Sequence, residues 1–364
     1  KLELILERGN NGLGSHNLLF IAAELLLLTR KDFTGLKLAL IEEIEAHLHP
    51  QAQLRLIEYL AKDSRNNNVQ LIITSHSPNL ASKVAIANII LCKDNWAYSL
   101  SPAHTHLKKG DYAFLQRFLD VTKANLFFAQ GVLLVEGDAE NILIPAIARI
   151  IGRDLTRYGV STVNLGNTAF NRYSRIFKRR YPARPLSIPV ACLTDNDIDL
   201  DGGLTPEQIE QQRVGKAARY DGQSVRTFVS PVKTMEYDLA LGNSRQDLYL
   251  AALLAAKLKN SDEYGVTFSK YKQSHDAATQ QFAKWTEQNL TADQIARNIW
   301  SHIATNDLKA ITAQFFAFIL EHKTRKEDIK ARVLADPNFS YIVKAIEHVT
   351  EPLNPPQNVQ PNNG

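Results

Sequence analysis

Cysteine and methionine are nearly missing from this chain: 364 residues contain two cysteines and one methionine. Cys92 and Cys192 both stand within apolar, strand-like runs, so a disulfide scaffold is excluded. Long apolar runs are missing too. The longest, Leu18 to Leu28, is interrupted by Glu24 and falls short of the ~20 residues a membrane span needs. No secretory leader with a cleavage pattern opens the sequence, so the cytoplasm is the expected compartment and a membrane partner is not expected. Neither sign of charge dominates. The 42 Lys and Arg against 38 Asp and Glu leave a net charge of +4, which permits a nucleic-acid partner without demanding one.

What is present has globular composition, 45% apolar and 22% charged, so disorder of the whole chain is excluded. The length suits two or three domains of about 150 residues each. The first residue is Lys1 and Leu2 to Leu6 already resemble structure, so a piece of a longer protein is expected. No internal repeat is visible, and Pro352 to Gly364, rich in proline and asparagine, is expected to be a disordered tail.

Two α/β patterns meet near residue 127. The first predicts a helix over Asn17 to Thr29, a strand buried on both faces over Leu36 to Ile41, and a helix over Gln51 to Lys62. Further buried strands follow at Val69 to Ile73 and Ile86 to Leu91. The second predicts strands at Gly131 to Val135, Ser161 to Asn164, Ile188 to Leu193 and Val225 to Phe228. Helices are predicted over Ala139 to Ile151 and Ala169 to Arg180, and mainly helical text runs from Asp247 to His322. Strands alternating with helices imply parallel sheets. The expected division is 1–126, then 127–351 with a helical region at about 245–305, then the tail 352–364.

Glu42 and Glu43 end the first predicted strand, and Glu45-Ala-His47-Leu-His49-Pro50 follows; Ile73-Thr-Ser75-His76-Ser77 ends the next. Ligands bind at this edge of open α/β sheets. One acid there can hold Mg²⁺, a second can orient a water, and a histidine can sense a γ-phosphate. The plain alternative is an acidic loop start, with His47 and His49 binding a metal or capping a helix. A Gly-x-x-x-x-Gly-Lys-[Ser/Thr] loop is missing; Gly215-Lys216 is followed by Ala217.

A second set of acids begins with Val135-Glu136-Gly137-Asp138-Ala-Glu140, where glycine permits a sharp turn and Asp138 is placed to cap the following helix. One helical turn separates Glu136 from Glu140. Leu193-Thr-Asp195-Asn-Asp197 ends another buried strand, and alternation would put Asp195 and Asp197 on one side. Hard oxygen donors at neighbouring strand ends suit two Mg²⁺ or Mn²⁺ ions, which together can hydrolyse a phosphodiester. The alternatives are an acidic turn or a calcium loop. Against the latter, a strand precedes the run and Pro206 stands where its last glutamate belongs.

Residues 42–50 and 75–77 resemble the Walker B, D-loop and switch-histidine segments of ABC-type ATPases of the RecF and SMC kind. Asn11-Gly-Leu-Gly14-Ser15-His-Asn resembles their signature motif. The strand–Glu–Gly start and the Asp-x-Asp pair resemble the Toprim fold. In this order they resemble the OLD (overcoming lysogenization defect) family of ATP-linked nucleases, relatives of the Gabija defence nuclease, over roughly residues 1–325.

The resemblance implies an α/β fold, an ATPase lobe followed by a Toprim domain, and Mg²⁺ or Mn²⁺ with ATP as cofactors. It implies Glu136, Glu140, Asp195, Asp197 and Glu236 as metal ligands, with Ser230 a neighbour, and Glu136, Asp195, Lys309 and Glu43 as catalytic groups. Lys323 and Lys326 are alternatives to Lys309. Glu42, Glu43, His76, Gly14 and Ser15 are implied at ATP, with the phosphate-cradling loop expected upstream of Lys1 and no ATP hydrolysis by this chain alone.

DNA is the implied substrate, in phage defence or repair. A homodimer is implied, and an accessory helicase-like or defence partner is admitted. Arg172, Arg175 and Arg179, interleaved with Tyr173, Phe177 and Tyr181, are candidates for the phosphate backbone; a solvated amphipathic helix explains them equally. An ATP-switched clamp without nuclease activity, a topoisomerase and a primase remain as other readings.

Overall fold

A computed structural model describes residues 12–28, 30, 34–166, 169–181, 184–261, 265–322 and 326–351. The expected tail, Leu2 to Leu6 and Lys323 lie outside these residues. The chain divides into two compact units. One comprises Lys1–Leu91, Ser99–Ser101 and Lys108–Phe128; the other comprises Cys92–Tyr98, Pro102–Leu107 and Ala129–Gly364.

The first unit opens with α1 (Leu13–Leu28), β1 (Leu38–Ile41), α2 (Pro50–Asn67), β2 (Gln70–Ile73) and α3 (Pro78–Lys83). Pro50 sits at the start of α2, where its missing N–H costs nothing, and the His49 ring accepts from Gln51 N at 3.3 Å. Asn68 closes the helix in the left-handed region at φ 54°. β1 and β2 pair in parallel, from Leu38 opposite Gln70 to Ile41 opposite Ile73.

Burial on both faces, expected for these strands, is not found. Ala39, Ile41, Leu71 and Ile73 pack against Ile21, Leu25, Ile57 and Leu60, while Leu40 is 68% and Ile72 50% exposed. The two-residue period turns alternate side chains outward, and the described helices cover only one face.

Ile86 to Leu91 is not a third strand of this sheet either. A 3-10 turn over Ile86–Asn88 leads into β3 (Ile90–Lys93), which pairs with β4 (Trp96–Ser99) in a separate two-stranded sheet. Asp94 and Asn95 both take positive φ, 49° and 61°, the backbone a two-residue hairpin turn needs. A local partner strand therefore wins over the distant one. α4 (Lys109–Phe118) and α5 (Val121–Ala124) follow.

The second unit is built on β5 (Gly131–Val135), α6 (Asp138–Ile150), β6 (Val160–Asn164), α7 (Phe170–Ser174), β7 (Val190–Thr194), α8 (Pro206–Ala218) and β8 (Val225–Val229). Its sheet runs β6-β5-β7-β8, every pair parallel. β5 and β7 are central and buried throughout, as their continuous apolar runs predict. The chain leaves β5 toward β6 and returns to β7 on the other side, so the strand order reverses between β5 and β7. A crevice opens at the C-terminal ends of two such strands.

The helix expected over Ala169 to Arg180 stops early. After α7 comes a 3-10 turn, Arg175–Phe177, and then Arg179 bridges Thr105. The extended 178–180 backbone exchanges hydrogen bonds with residues 104–106, and this non-local ladder replaces the helical one.

Helices complete the unit: α9 (Met235–Leu241), α10 (Arg245–Leu258), α11 (Phe268–Glu287), α12 (Ala292–Thr305), α13 (Lys309–His322), α14 (Lys326–Ala335) and α15 (Ser340–Thr350). Leu143, Ile147, Leu254, Phe316, Ile342 and Ile346 belong to the shared apolar core that joins them to the sheet. No described helix is long and apolar enough to cross a membrane.

Candidate functional site

β5 ends at Val135, so Glu136 emerges at the reversal point, and Asp195 emerges beside it from β7. Glu136 Oε1 accepts from Asp195 N at 3.1 Å and from the Thr194 hydroxyl. Gly137 N-caps α6; Asp138, expected as the cap, is the first helical residue and accepts from Asn164 Nδ2 at 2.6 Å. Glu140, one turn in, accepts from Gly137 N at 3.2 Å.

The third strand end contributes through α9. Thr234 caps it, accepting from Tyr237 N at 3.4 Å and donating to Glu236 Oε2 at 2.9 Å. Met235 N donates to Asp195 Oδ1 at 3.0 Å, which ties the α9 start to the β7 end. Lys309, at the first turn of α13, lies 3.7 Å from Glu236 Oε2.

Four carboxylates thus share a small buried space with one ammonium. Glu140, Asp195 and Glu236 are all less than a tenth exposed. Burial first, then the charges of Glu236 and Glu136, push the Glu140 carboxyl up to about 7. Asp195 is raised well above the usual range by burial and by Glu236, Glu140 and Glu136. Burial pulls the Lys309 ammonium down, yet the carboxylates together leave it raised. Like charges crowded away from water with one cation call for further positive charge.

Oxygen-only donors are what Mg²⁺ or Mn²⁺ takes, so these residues fit such ions. Among the described residues no group of three or more Asp, Glu, His or Cys side chains is placed closely enough to hold a metal ion as it stands.

Asp197 is not brought into this cluster. β7 ends at Thr194, so strand alternation does not extend to it. Asp197 takes φ 60°, its side chain is 60% exposed, and its carboxylate pairs with Lys216 at 3.0 Å. Lys216 also donates to Asp195 O.

Neither Lys216 nor Asp238 was assigned a role from the sequence. Asp238, fully buried, accepts from Val232 N at 3.2 Å and Lys233 N at 3.4 Å, and burial raises its carboxyl to about 7. It fixes the loop in which Ser230 Oγ accepts from Asn196 N at 2.9 Å and Lys233 O accepts from Asp197 N at 2.9 Å. Arg297 in α12 holds the far side of the acidic loop, donating to Leu200 O at 2.7 Å and Asp201 at 2.8 Å. Spacing could have found Asp238, two residues beyond Glu236; Lys216 and Arg297 needed the tertiary contacts.

In the first unit, Glu42 and Glu43 follow β1 and His76 follows β2, all three exposed at one edge of the parallel pair. Glu43 N donates to Thr74 Oγ1 at 3.2 Å, and Glu45 accepts from His76 N. Gly14 and Ser15 lie in the first turn of α1, where a Cβ on Gly14 would stand 2.4 Å from His47 O. Glycine therefore serves close packing at that point.

The arginine candidates separate. Arg172 and Arg175 are half-buried, whereas Arg179 is 6% exposed, with its guanidinium 5.6 Å from the Tyr98 ring centre. A guanidinium so enclosed does not reach a phosphate backbone, because the extended 178–180 segment turns it inward. Exposed cation and aromatic instead meet at Arg184, 4.2 Å from the Trp96 ring. Lys326, the described alternative to Lys309, starts α14 and is exposed.

Residues 127–197 match the family described as overcoming lysogenization defect protein-like, TOPRIM domain, and residues 3–81 match an AAA ATPase domain. Endonuclease GajA of Bacillus cereus (strain HuB5-5) is 28% identical over 220 residues, 52% of this chain and 31% of that protein. Endonuclease GajA of Bacillus cereus (strain VD045) is 26% identical over 159 residues, 44% of this chain and 26% of that protein. The chain thus spans under a third of the length of these relatives. The C-terminal region of the Xanthomonas campestris pv. campestris OLD protein aligns at 24% identity and a TM-score of 0.38, covering 62% of this chain and 94% of that one. An AAA ATPase match thus precedes an OLD-like Toprim match, and within the latter Glu136 and Asp195 are hydrogen-bonded across the point where the strand order reverses.

Proposed function

We propose that this chain is the Toprim part of a divalent-metal DNA endonuclease or nickase whose ATPase lobe regulates or assembles it. What supports this reading is the convergence of Glu136, Glu140, Asp195 and Glu236 with Lys309 at the reversal point of one sheet. The two relatives named endonuclease point the same way.

Glu136, Glu140, Asp195 and Glu236 would hold two Mg²⁺ or Mn²⁺ ions. When bound, the ions supply an activated water and stabilise the leaving oxygen of the phosphodiester. The chain's own residues do the rest. Thr194 and the Asp195 N–H fix Glu136 in one orientation, and Gly137 N does the same for Glu140. The Glu140 carboxyl, raised to about 7 by burial and the neighbouring Glu236, would hold a cation in its ionised form. Lys309, a compact point charge, neutralises charge building on the phosphate oxygens.

Glu42, Glu43 and His76 would serve as the cation, water and γ-phosphate groups of an ATP site, with Gly14 and Ser15 from the same lobe. Pairing of two such lobes makes a homodimer, and DNA repair or phage defence, in the cytoplasm and with an accessory partner, is the setting.

The test is incubation with supercoiled plasmid and Mn²⁺ or Mg²⁺, with Glu136→Ala alongside. Nicked or linear DNA from the wild type alone is expected. No cutting by the wild type would favour the clamp, and relaxed closed circles would favour a topoisomerase.

A further inference from the structure

Helix α12 carries two stripes. Ile295, Ala296, Ile299 and Ile303 recur at helical spacing and are buried in the apolar core. Asp293, Arg297 and Trp300, four and then three residues apart, share a neighbouring face. Each residue of this second stripe meets a different segment of the acidic centre. Asp293 accepts from the hydroxyl of Tyr237, the residue after Glu236 on α9. Arg297 donates to Leu200 O at 2.7 Å and to Asp201 Oδ1 at 2.8 Å, in the loop that leaves Asp195. The Trp300 ring centre lies 4.9 Å from the Lys233 ammonium, which donates to Ile198 O at 2.9 Å.

Arg297 is the junction of these contacts. Its Nε also donates to Asp293 Oδ2 at 2.8 Å, so one guanidinium engages two points of the loop and the side chain that joins α12 to α9. The planar fork presents its donors in fixed directions, so binding three acceptors together sets where they stand relative to one another. The loop needs such a constraint. β7 stops at Thr194, and aspartates at 195, 197, 199 and 201 repel one another along the segment that follows. Asp195 itself is tied to α9 by Met235 N at 3.0 Å, and Arg297 ties the far part of the same loop to α12. The Asp201 side chain is 86% exposed, and an ion pair so open to water adds little stability. What the contact supplies is the course of the loop.

We propose that Arg297 is a positioning residue of the acidic centre. By clamping Leu200 O and Asp201 to α12, whose Asp293 is joined to α9, it fixes the path of the loop that leaves Asp195 and thereby the separation of Asp195 from Glu236. The inference rests on the proposed nuclease function and deepens it by assigning the helical layer a part in the site. Loss of an outer contact that orients ligating carboxylates lowers metal affinity or activity by about 10–100-fold.

In the full chain, Arg297→Ala and Arg297→Lys are compared with the wild type, and Arg213→Ala, which breaks an exposed pair with Glu210 on α8, is the control. Mn²⁺ affinity is measured by calorimetry without DNA, and kcat and KM by plasmid cleavage, at a temperature where circular dichroism shows every protein folded. Arg297→Ala is expected to bind Mn²⁺ about 10-fold more weakly and to lose about 10-fold in kcat, with KM for plasmid within about two-fold. Arg297→Lys should recover only part of each loss, because an ammonium does not span three acceptors in the fork's geometry. A folded Arg297→Ala that binds Mn²⁺ and cuts as the wild type does overturns the proposal and leaves the nuclease function standing. A loss confined to KM, or an equal loss in Arg213→Ala, overturns it too. Should Arg297→Ala not fold, Asp201→Ala decides, since it removes one acceptor and leaves α12 intact: Mn²⁺ binding about 3-fold weaker supports the proposal, and unchanged binding overturns it. If the wild type binds Mn²⁺ but never cuts and Arg297→Ala binds more weakly, the positioning role stands and the nuclease function falls. A wild type that binds no Mn²⁺ overturns both.

Discussion

Glu136 Oε1 accepts a hydrogen bond from the backbone N–H of Asp195 at 3.1 Å, so the ends of β5 and β7 are joined through the carboxylate that opens the acidic centre. Residues 59 positions apart in the sequence are thereby held side by side. Orientation is fixed on the peptide side, because the Thr194 hydroxyl donates to the same oxygen. That arrangement yields the first prediction. Glu136→Ala and Asp195→Asn should each lower plasmid cleavage by about 10²–10³-fold, as loss of a charge-stabilising group in an active site does. Far-ultraviolet circular dichroism should be unchanged. Cleavage within a few-fold of wild type by either variant would remove these residues from the chemistry.

Lys309 is 3.7 Å from Glu236, with its side chain about half exposed at the mouth of the cluster. Lys309→Ala should reduce kcat by about 10²-fold while KM moves little, since the ammonium matters most when phosphate charge develops. Lys309→Arg should restore part of the rate, because charge is kept while the compact geometry is not. A variant that loses only DNA affinity would assign Lys309 to binding alone.

The Glu140 carboxyl, raised from 4.5 to about 7, sets a pH dependence in metal-free protein. Between these values the folded state keeps a proton that the unfolded state has released, so stability falls as pH rises through this window and levels off above it. Glu140→Gln, which cannot ionise, should match the wild type near pH 4 and be more stable at pH 8. The difference at pH 8 is on the order of 3 kcal/mol. Urea unfolding with a chelator present measures it. Saturating Mn²⁺ should reverse the order, and equal curves for both proteins at every pH would refute the linkage.

Asp238 anchors the 230–233 loop by accepting from two backbone N–H groups, that of Val232, shared between both carboxylate oxygens, and that of Lys233. Asp238→Ala leaves those half-buried N–H groups without their acceptor and should destabilise the second unit by about 1–3 kcal/mol. Asp238→Asn should cost less, because the amide oxygen still accepts. Denaturant midpoints of the three proteins decide this.

Arg179 gives the counter-case for the basic segment. Its guanidinium is enclosed near the Tyr98 ring, and its backbone N–H donates to Gln223 Oε1 at 2.8 Å. Arg179→Ala should lower the melting temperature through lost packing and leave the salt dependence of DNA binding as it was. A reduced salt slope would show that this side chain reaches phosphate after all.

Much of this was legible beforehand. Continuous apolar runs identified β5 and β7, because a strand buried on both faces has no polar face to display. Glycine after Glu136 marked the turn into α6, and Glu236 and Lys309 were placed by resemblance on elements that do carry them to the cluster. Two of the errors share one cause. Asp197 was assigned by alternation, which lapses where β7 stops, and the helix through Arg179 was assigned from apolar spacing. In both places a non-local backbone partner, Lys233 O for Asp197 and Thr105 for Arg179, overrode the local pattern.

The sequence by itself determined the alternation of strand and helix and the acids that follow strand ends, since both are periodic or adjacent features that neighbours along the chain enforce. Only the tertiary structure decided which acids meet. The order β6-β5-β7-β8 sets Glu136 beside Asp195, and α9 and α13 bring Glu236 and Lys309 to them. Convergence of that kind depends on strand order and helix direction, which hydrogen bonding and packing between distant segments select.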